Sequence, residues 1–285
     1  MLTRRSFIVA AGTVGVFVPF MRLSGQVPGD AGFVVFVSDT HIREKASDGK
    51  PDDPGAAAKL VACVRKILAK KPYPYAAVFC GDLTDNGLPG QMTRFREIIR
   101  PLKDAGIPCL LMAGNHDYYS GKHDELFAPE IAASPVPGKT TRLLETPFAD
   151  IVCLDTPDMM TQDGWWGRID GAQLEWLKAY MKSNGGKKPY FICAHHPLYL
   201  VPVPAGVGMF RPVTGWISGH RHLWHQQATV EHDVPVSYIP STMQDPFGYV
   251  EMGPEDGGFA FRLVTEDERN LKNGQTVIVK GRTTK

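Results

Sequence analysis

Short apolar runs, each closed by polar residues, set the rhythm of this chain. Residues 32–37, 75–80, 107–113 and 190–194 are nearly continuous in Val, Ile, Leu, Phe, Cys and Ala. Runs of this length are too short for helices and read as strands covered on both faces. Between the first three lie two segments of helical spacing. One is 56–69, with Leu60, Val61, Val64, Ile67 and Leu68; the other is 91–105, closed by Gly106. Strand–helix–strand–helix–strand predicts a largely parallel, layered sheet.

After residue 117 the texture changes. Residues 141–144 and 151–154 predict paired short strands, and 172–181 an amphipathic helix built on Leu174, Trp176, Leu177 and Met181. A further strand is expected at 214–218. Residues 228–230, 236–239 and 259–264 alternate and turn like antiparallel sheet. The expected fold class is α/β, a two-sheet sandwich flanked by helices.

Composition adds bounds. The 285 residues are 43% hydrophobic and 21% charged with a formal net charge of +1, ordinary for a globular chain with one large core. Neither a repeat nor a linker divides it, so 30–285 is expected to be one domain. No basic stripe is available to track a phosphate backbone, so nucleic acid is not an expected partner.

The N-terminus stands apart. Arg4 and Arg5 precede an apolar run from Phe7 to Phe20, which predicts a twin-arginine export signal over 1–25, handled by the twin-arginine translocation machinery. The run is shorter than a membrane span needs, so the mature form is expected to have no stable span. The expected location is periplasmic or secreted, or tethered to the membrane if the signal stays attached. The five cysteines are odd in number and mostly lie in apolar runs, which predicts buried thiols rather than a disulfide framework.

The candidate chemistry sits where the apolar runs end. Asp39 and His41 follow the first, Asp82 the second, Asn115 and His116 the third, His195 the fourth, and His220 and His222 the fifth. In open α/β sheets ligands bind beyond the carboxyl ends of strands. Each cluster alone could be a turn. Carboxylates and imidazoles at five strand ends point instead to a metal or phosphate site. His220 and His222 would share a side if their segment were extended, and Arg221 would then point away. Trp165 and Trp166 fit a pocket wall or the core, and Tyr118 is a candidate for the pocket rim.

The order Asp39-x-His41, Gly81-Asp82, Gly114-Asn115-His116-Asp117, His195 and Gly219-His220-x-His222 resembles the calcineurin-like metallophosphoesterase superfamily, over about residues 33–245. The resemblance implies a four-layer αββα sandwich and two metal ions about 3.5–4 Å apart. It implies Asp39, His41, Asp82 and His222 on the first ion, and Asp82, Asn115, His195 and His220 on the second, with Asp82 shared. His116 would be the acid that touches the substrate phosphate or the leaving oxygen. The ions, divalent or trivalent, would be Fe, Mn, Zn or Co, with water activated between them. His196, next to a ligand, is a candidate substrate contact. Asp85 stands where purple acid phosphatases place a metal-bound tyrosine, so a ferric tyrosinate centre is not expected.

The motif forms are closest to the class III cyclic-nucleotide phosphodiesterase branch. They imply an exported hydrolase of phosphodiester bonds acting on a small phosphoester. The same ligands fit a phosphomonoesterase, and a non-catalytic, metal-stabilised envelope protein is a more distant alternative. Between His195 and His220, Pro197, Pro202, Pro204, Gly206, Gly208 and Pro212 exclude a long helix.

Overall fold

The computed structural model describes residues 32–44, 55–203, 206–225, 229–241, 247–265 and 267–280. The expected signal segment, Pro204 and Ala228 lie outside the described residues.

The first half of the chain builds one sheet and its outer layer. Strand β1 (Val34–Val37), helix α1 (Ala56–Ala69), β2 (Ala77–Cys80), helix α2 (Pro89–Asp104) and β3 (Cys109–Met112) follow in order, and the three strands are parallel neighbours. Pro89 opens α2, where its missing N–H costs no helical hydrogen bond. Two short helices, α3 (His123–Leu126) and α4 (Ala128–Ala132), lead to the second sheet.

That sheet has the spatial order β4 (Arg142–Glu145), β5 (Asp150–Leu154), β6 (Tyr190–Ala194), β7 (Gly215–Ser218), β9 (Val234–Tyr238), β8 (Thr229–Glu231). Its four inner strands are parallel and its two edge strands antiparallel. Helix α5 (Gly171–Asn184) joins β5 to β6. The Asp170 side chain caps it by accepting the Gln173 N–H at 2.8 Å, and Gly185 ends it in the left-handed conformation. The chain then returns to the first sheet as β10 (Gly248–Glu255), β11 (Gly258–Thr265) and β12 (Thr276–Lys280), with β10 antiparallel to β1.

Successive residues of a strand point to opposite faces, and here both faces are covered. Phe36, Val78 and Leu110 of the first sheet meet Ile151, Phe191 and Ile217 of the second in a core between the sheets. Their neighbours Val35, Phe79 and Leu111 pack under α1 and α2. Val152, Ile192 and Trp216 pack under α5. The layers are therefore helix, sheet, sheet, helix, as the motif order implied. No helix among the described residues is long and apolar enough to cross a membrane.

Two consequences follow for the site. Parallel strands end together, so β1, β2 and β3 deliver their polar tails to one edge of the sandwich, and β6 and β7 deliver theirs to the facing edge. All five cysteines are thiols; Cys63, Cys80, Cys153 and Cys193 are buried, and Cys109, although in an apolar run, is partly exposed.

Candidate metal centre

Seven predicted side chains converge at that edge. Asp39, His41, Asp82 and His222 form one group of donor atoms, and Asp82, His195 and His220 another, with Asp82 common to both. Asn115 completes the second group, its Oδ1 lying 3.1 Å from His195 Nε2 and 3.2 Å from His220 Nδ1.

Backbone geometry makes the convergence possible. Asp39, His41, Asp82, His220 and His222 all have positive φ, between 42° and 66°. Non-glycine residues visit this region rarely, and such conformations gather at functional sites where the surroundings enforce them. The segment 220–222 is therefore a turn, not the extended stretch expected from alternation. Its two histidines reach the site because both turn, and Arg221 comes to lie over Trp165, 5.5 Å from the ring centre, rather than pointing away.

Close approach fixes two of the motif glycines. A Cβ on Gly114 would lie 2.2 Å from both the backbone N and Oδ1 of Asp82. One on Gly219 would lie 1.9 Å from Ser38 Oγ and 2.5 Å from Asp39 Oδ2. The Asp39 carboxylate accepts the His220 N–H at 3.0 Å and so ties the end of β1 to the end of β7 across the sandwich.

The chemistry of the donor atoms suits cations. His195 Nδ1 donates to the carbonyl of Cys80 at 2.9 Å, which leaves Nε2 facing Asp82 Oδ2 at 3.3 Å, Asn115 Oδ1 and, at 3.3 Å, His220 Nδ1. The Asn115 amide is oriented by donating Nδ2 to Tyr119 Oη at 3.0 Å and to the Asp163 carbonyl at 3.3 Å. With His195 Nε2 unprotonated, lone pairs would face lone pairs. In the other group His41 Nε2 and His222 Nε2 stand 3.2 Å apart, and His222 Nε2 is 3.2 Å from Asp39 Oδ1. Such sets are satisfied by shared protons or by metal ions, and a histidine held by a backbone carbonyl through its other nitrogen is the usual arrangement of a metal ligand.

Protonation follows the same logic. Burial pulls every imidazole down, and at His41 and His220 it prevails, taking His220 to about 3. At His222 burial is outweighed by the hydrogen bond and charge of Asp39, and at His195 by the charge of Asp82, which carries His195 up to about 9. Burial would raise both carboxylates, but the His222 hydrogen bond holds Asp39 below its ordinary value and the charge of His195 holds Asp82 well below it.

His116 stands beside this cluster. Its backbone N–H donates to Asp82 Oδ1 at 2.9 Å, its ring meets His41 edge-on at 4.5 Å, and its Nδ1 is 2.7 Å from the Asp85 carbonyl oxygen. Asp117 does not orient His116. Its carboxylate accepts from Leu83 N, Thr84 N, Thr84 Oγ1 and Gly114 N and so fixes the turn after Asp82.

A cleft of about 450 Å³ opens over the cluster. Asp82, Asn115, His116, His220 and His222 line its floor, and Tyr119, Asp163 and Trp165 its walls. His196 is not at this surface, contrary to the expected substrate contact. It is fully buried, with Nδ1 3.0 Å from Thr156 Oγ1 and Nε2 2.8 Å from the Gly164 carbonyl. Tyr118 also turns inward, stacked on His123 and donating to Asp155, because residues 116–118 form a 3₁₀ turn that gives the cleft to Tyr119. Trp165 and Trp166 are about half exposed, not core.

Two facing mixed sheets between helices, with donor side chains from five strand ends in two groups around one carboxylate, make a candidate two-cation centre. A family model described as calcineurin-like phosphoesterase matches residues 34–224, and the chain belongs to that family of metal-dependent phosphoric ester hydrolases. A Rhodococcus erythropolis protein named as a probable cyclic nucleotide phosphodiesterase is 25% identical over 82% of this chain and 78% of its own length. An Arcobacter nitrofigilis protein named as a probable glycerophosphodiester phosphodiesterase is 38% identical over 61% of this chain and 59% of its own length. Among solved structures, a purple acid phosphatase from yellow lupin (Lupinus luteus) seeds shares the fold at 14% identity, with a TM-score of 0.56 over 89% of this chain and 56% of that one.

Proposed function

We propose that the protein hydrolyses small phosphodiesters at this cleft. The observation that carries the reading is the placement of Asp82, whose Oδ2 stands between the two donor groups while Oδ1 holds the backbone of His116. Asp39, His41, Asp82 and His222 would hold one cation, and Asp82, Asn115, His195 and His220 the other. Bound there, two cations neutralise phosphoryl oxygens and make a water nucleophilic near neutral pH.

The chain's own residues supply the rest. The Asp85 carbonyl accepts a hydrogen bond from His116 Nδ1–H and leaves Nε2 as the nitrogen available to the cleft. A proton held at Nε2 passes to the leaving alkoxide as its bond to phosphorus breaks. Asn115 is held by Tyr119 and Asp163, so its oxygen stays aimed at the second group.

The diester preference draws support from relatives named as phosphodiesterases. A phosphomonoesterase would use the same residues. Turnover of bis(p-nitrophenyl) phosphate against p-nitrophenyl phosphate by one metal-loaded sample tests the choice. A higher kcat/KM on the diester is expected, and a monoester preference would replace the reading. Export through the twin-arginine route is proposed from Arg4, Arg5 and the apolar run alone. Loss of the protein from the periplasmic fraction on changing both arginines to lysine would support it.

A further inference from the structure

We infer that Trp165 is a specificity residue of this cleft, a stacking platform for a planar heteroaromatic ring of the nucleobase type carried by the phosphoester. The inference deepens the phosphodiesterase reading and rests on it for the position of the phosphate.

Trp165 is 45% exposed although its ring lies only 4.7 Å from the ring of His220, on the wall of the cleft. Leaving a large indole in contact with water opposes the hydrophobic effect, so a loop that only had to close would turn it inward. Here the main chain on either side of Trp165 prevents that. The Gly164 carbonyl accepts from His196 Nε2 at 2.8 Å, and His196 is itself locked by Thr156. The Asp163 carbonyl accepts from Tyr119 Oη and Asn115 Nδ2, and Gly167 N donates to the Leu200 carbonyl at 2.9 Å.

Gly164 has φ +68°, and a Cβ there would lie 2.7 Å from Asn115 Cβ. The position of the indole is thus set from Asn115 and from His196, the neighbour of His195. The Arg221 guanidinium, 5.5 Å from the indole centre, further steadies the ring.

His196 Nε2, through the Gly164 carbonyl, thus ties the Trp165 loop to the end of β6. This arrangement also gives the cleft an aromatic wall above a polar floor. A flat heterocycle attached through a sugar to a phosphate can stack on that wall while the phosphate reaches the donor groups. Base–aromatic stacking changes affinity by roughly 5- to 100-fold. A glycerol substituent has no π face and forgoes that gain.

The test is titration calorimetry of metal-loaded protein with adenosine 5′-monophosphate and with glycerol 3-phosphate, followed by turnover of 3′,5′-cyclic AMP and glycerophosphoethanolamine. Wild type should bind the nucleotide about tenfold more tightly than glycerol phosphate. Trp165→Ala should abolish that margin, Trp165→Phe should keep part of it, and glycerol phosphate binding should move by less than about twofold. Trp166→Ala, which removes an equally exposed indole outside the cleft lining, should leave both affinities unchanged. The inference is overturned if wild type shows no preference or binds neither probe, if Trp165→Ala weakens both ligands equally, or if Trp166→Ala matches it. Preferential nucleotide binding without hydrolysis of any diester would overturn the phosphodiesterase reading and leave Trp165 in its role.

Discussion

His195 Nδ1 donates to the carbonyl of Cys80 at 2.9 Å, joining the end of β6 to the end of β2 across the two sheets. That bond fixes which nitrogen faces Asp82 and Asn115. In the metal-free protein the Asp82 charge outweighs burial and holds His195 up to about 9, so at pH 7 its Nε2 carries a proton. A metal ion needs that lone pair.

Metal uptake at pH 7 is therefore expected to release about one proton from His195, and metal affinity should rise with pH until roughly pH 9. Because the folded value lies above the ordinary 6.5, the protonated pairing stabilises the metal-free protein below about pH 6.5 and is lost as pH rises through about 9. Calorimetry in buffers of different ionisation enthalpy measures the release. Uptake without proton release would count against this pairing.

Removing the shared carboxylate should empty both groups. Asp82→Ala is expected to lower metal content from about two ions per chain to near zero, with activity falling by roughly 10³-fold or more. Elemental analysis and rate on one sample decide it. A variant that keeps one ion at full occupancy would show that the groups do not share Asp82.

His116→Ala should leave metal content unchanged and lower turnover by about 10²- to 10⁴-fold on alkyl leaving groups, with much less effect on p-nitrophenolate. A Brønsted plot against leaving-group pKa reads this directly. An unchanged slope would remove the acid role from His116.

Gly219→Ala places a methyl against Ser38 Oγ and Asp39 Oδ2. Displacing Asp39 in this way should weaken metal binding by about 10- to 100-fold, the usual effect of disturbing a ligand's support. Far-ultraviolet circular dichroism should be unchanged, which separates a site effect from unfolding.

The buried thiols should be inert. Burial pushes Cys109 up to about 12 and raises Cys80 as well, so both stay protonated below pH 9 and react poorly. A thiol reagent at pH 8 should titrate none of the four buried thiols in the native protein, at most the partly exposed Cys109, and all five after denaturation.

Much of this fold could be read from the chain because its central strands are buried on both faces and so are continuous apolar runs. The donor residues stood out because polar side chains follow those runs without a gap, as at Val37 to Asp39 and Ala194 to His195. The positions of β10 and β12 did not. β10 carries Gly253, Pro254 and two glutamates; it pairs over its whole length with β11, and its Val250, Glu251 and Met252 also pair with β1, more than 200 residues away in the chain. The left-handed turns fall at five Asp and His residues, types only modestly favoured in that region, too weak a signal to stop 220–222 from reading as extended. Tyr118 and Tyr119 could not be ranked without the 3₁₀ turn that separates their directions. His196 looked like a site residue because it adjoins His195, but adjacent residues at a strand end diverge, and it went into the protein.

The central claim is that seven side chains form a two-cation centre around Asp82. Crystals grown with manganese and measured at its absorption edge test it most directly. Two anomalous peaks about 3.5–4 Å apart are predicted, one within bonding distance of Asp39, His41, Asp82 and His222, the other of Asp82, Asn115, His195 and His220. A single peak, or peaks away from Asp82, would contradict the account.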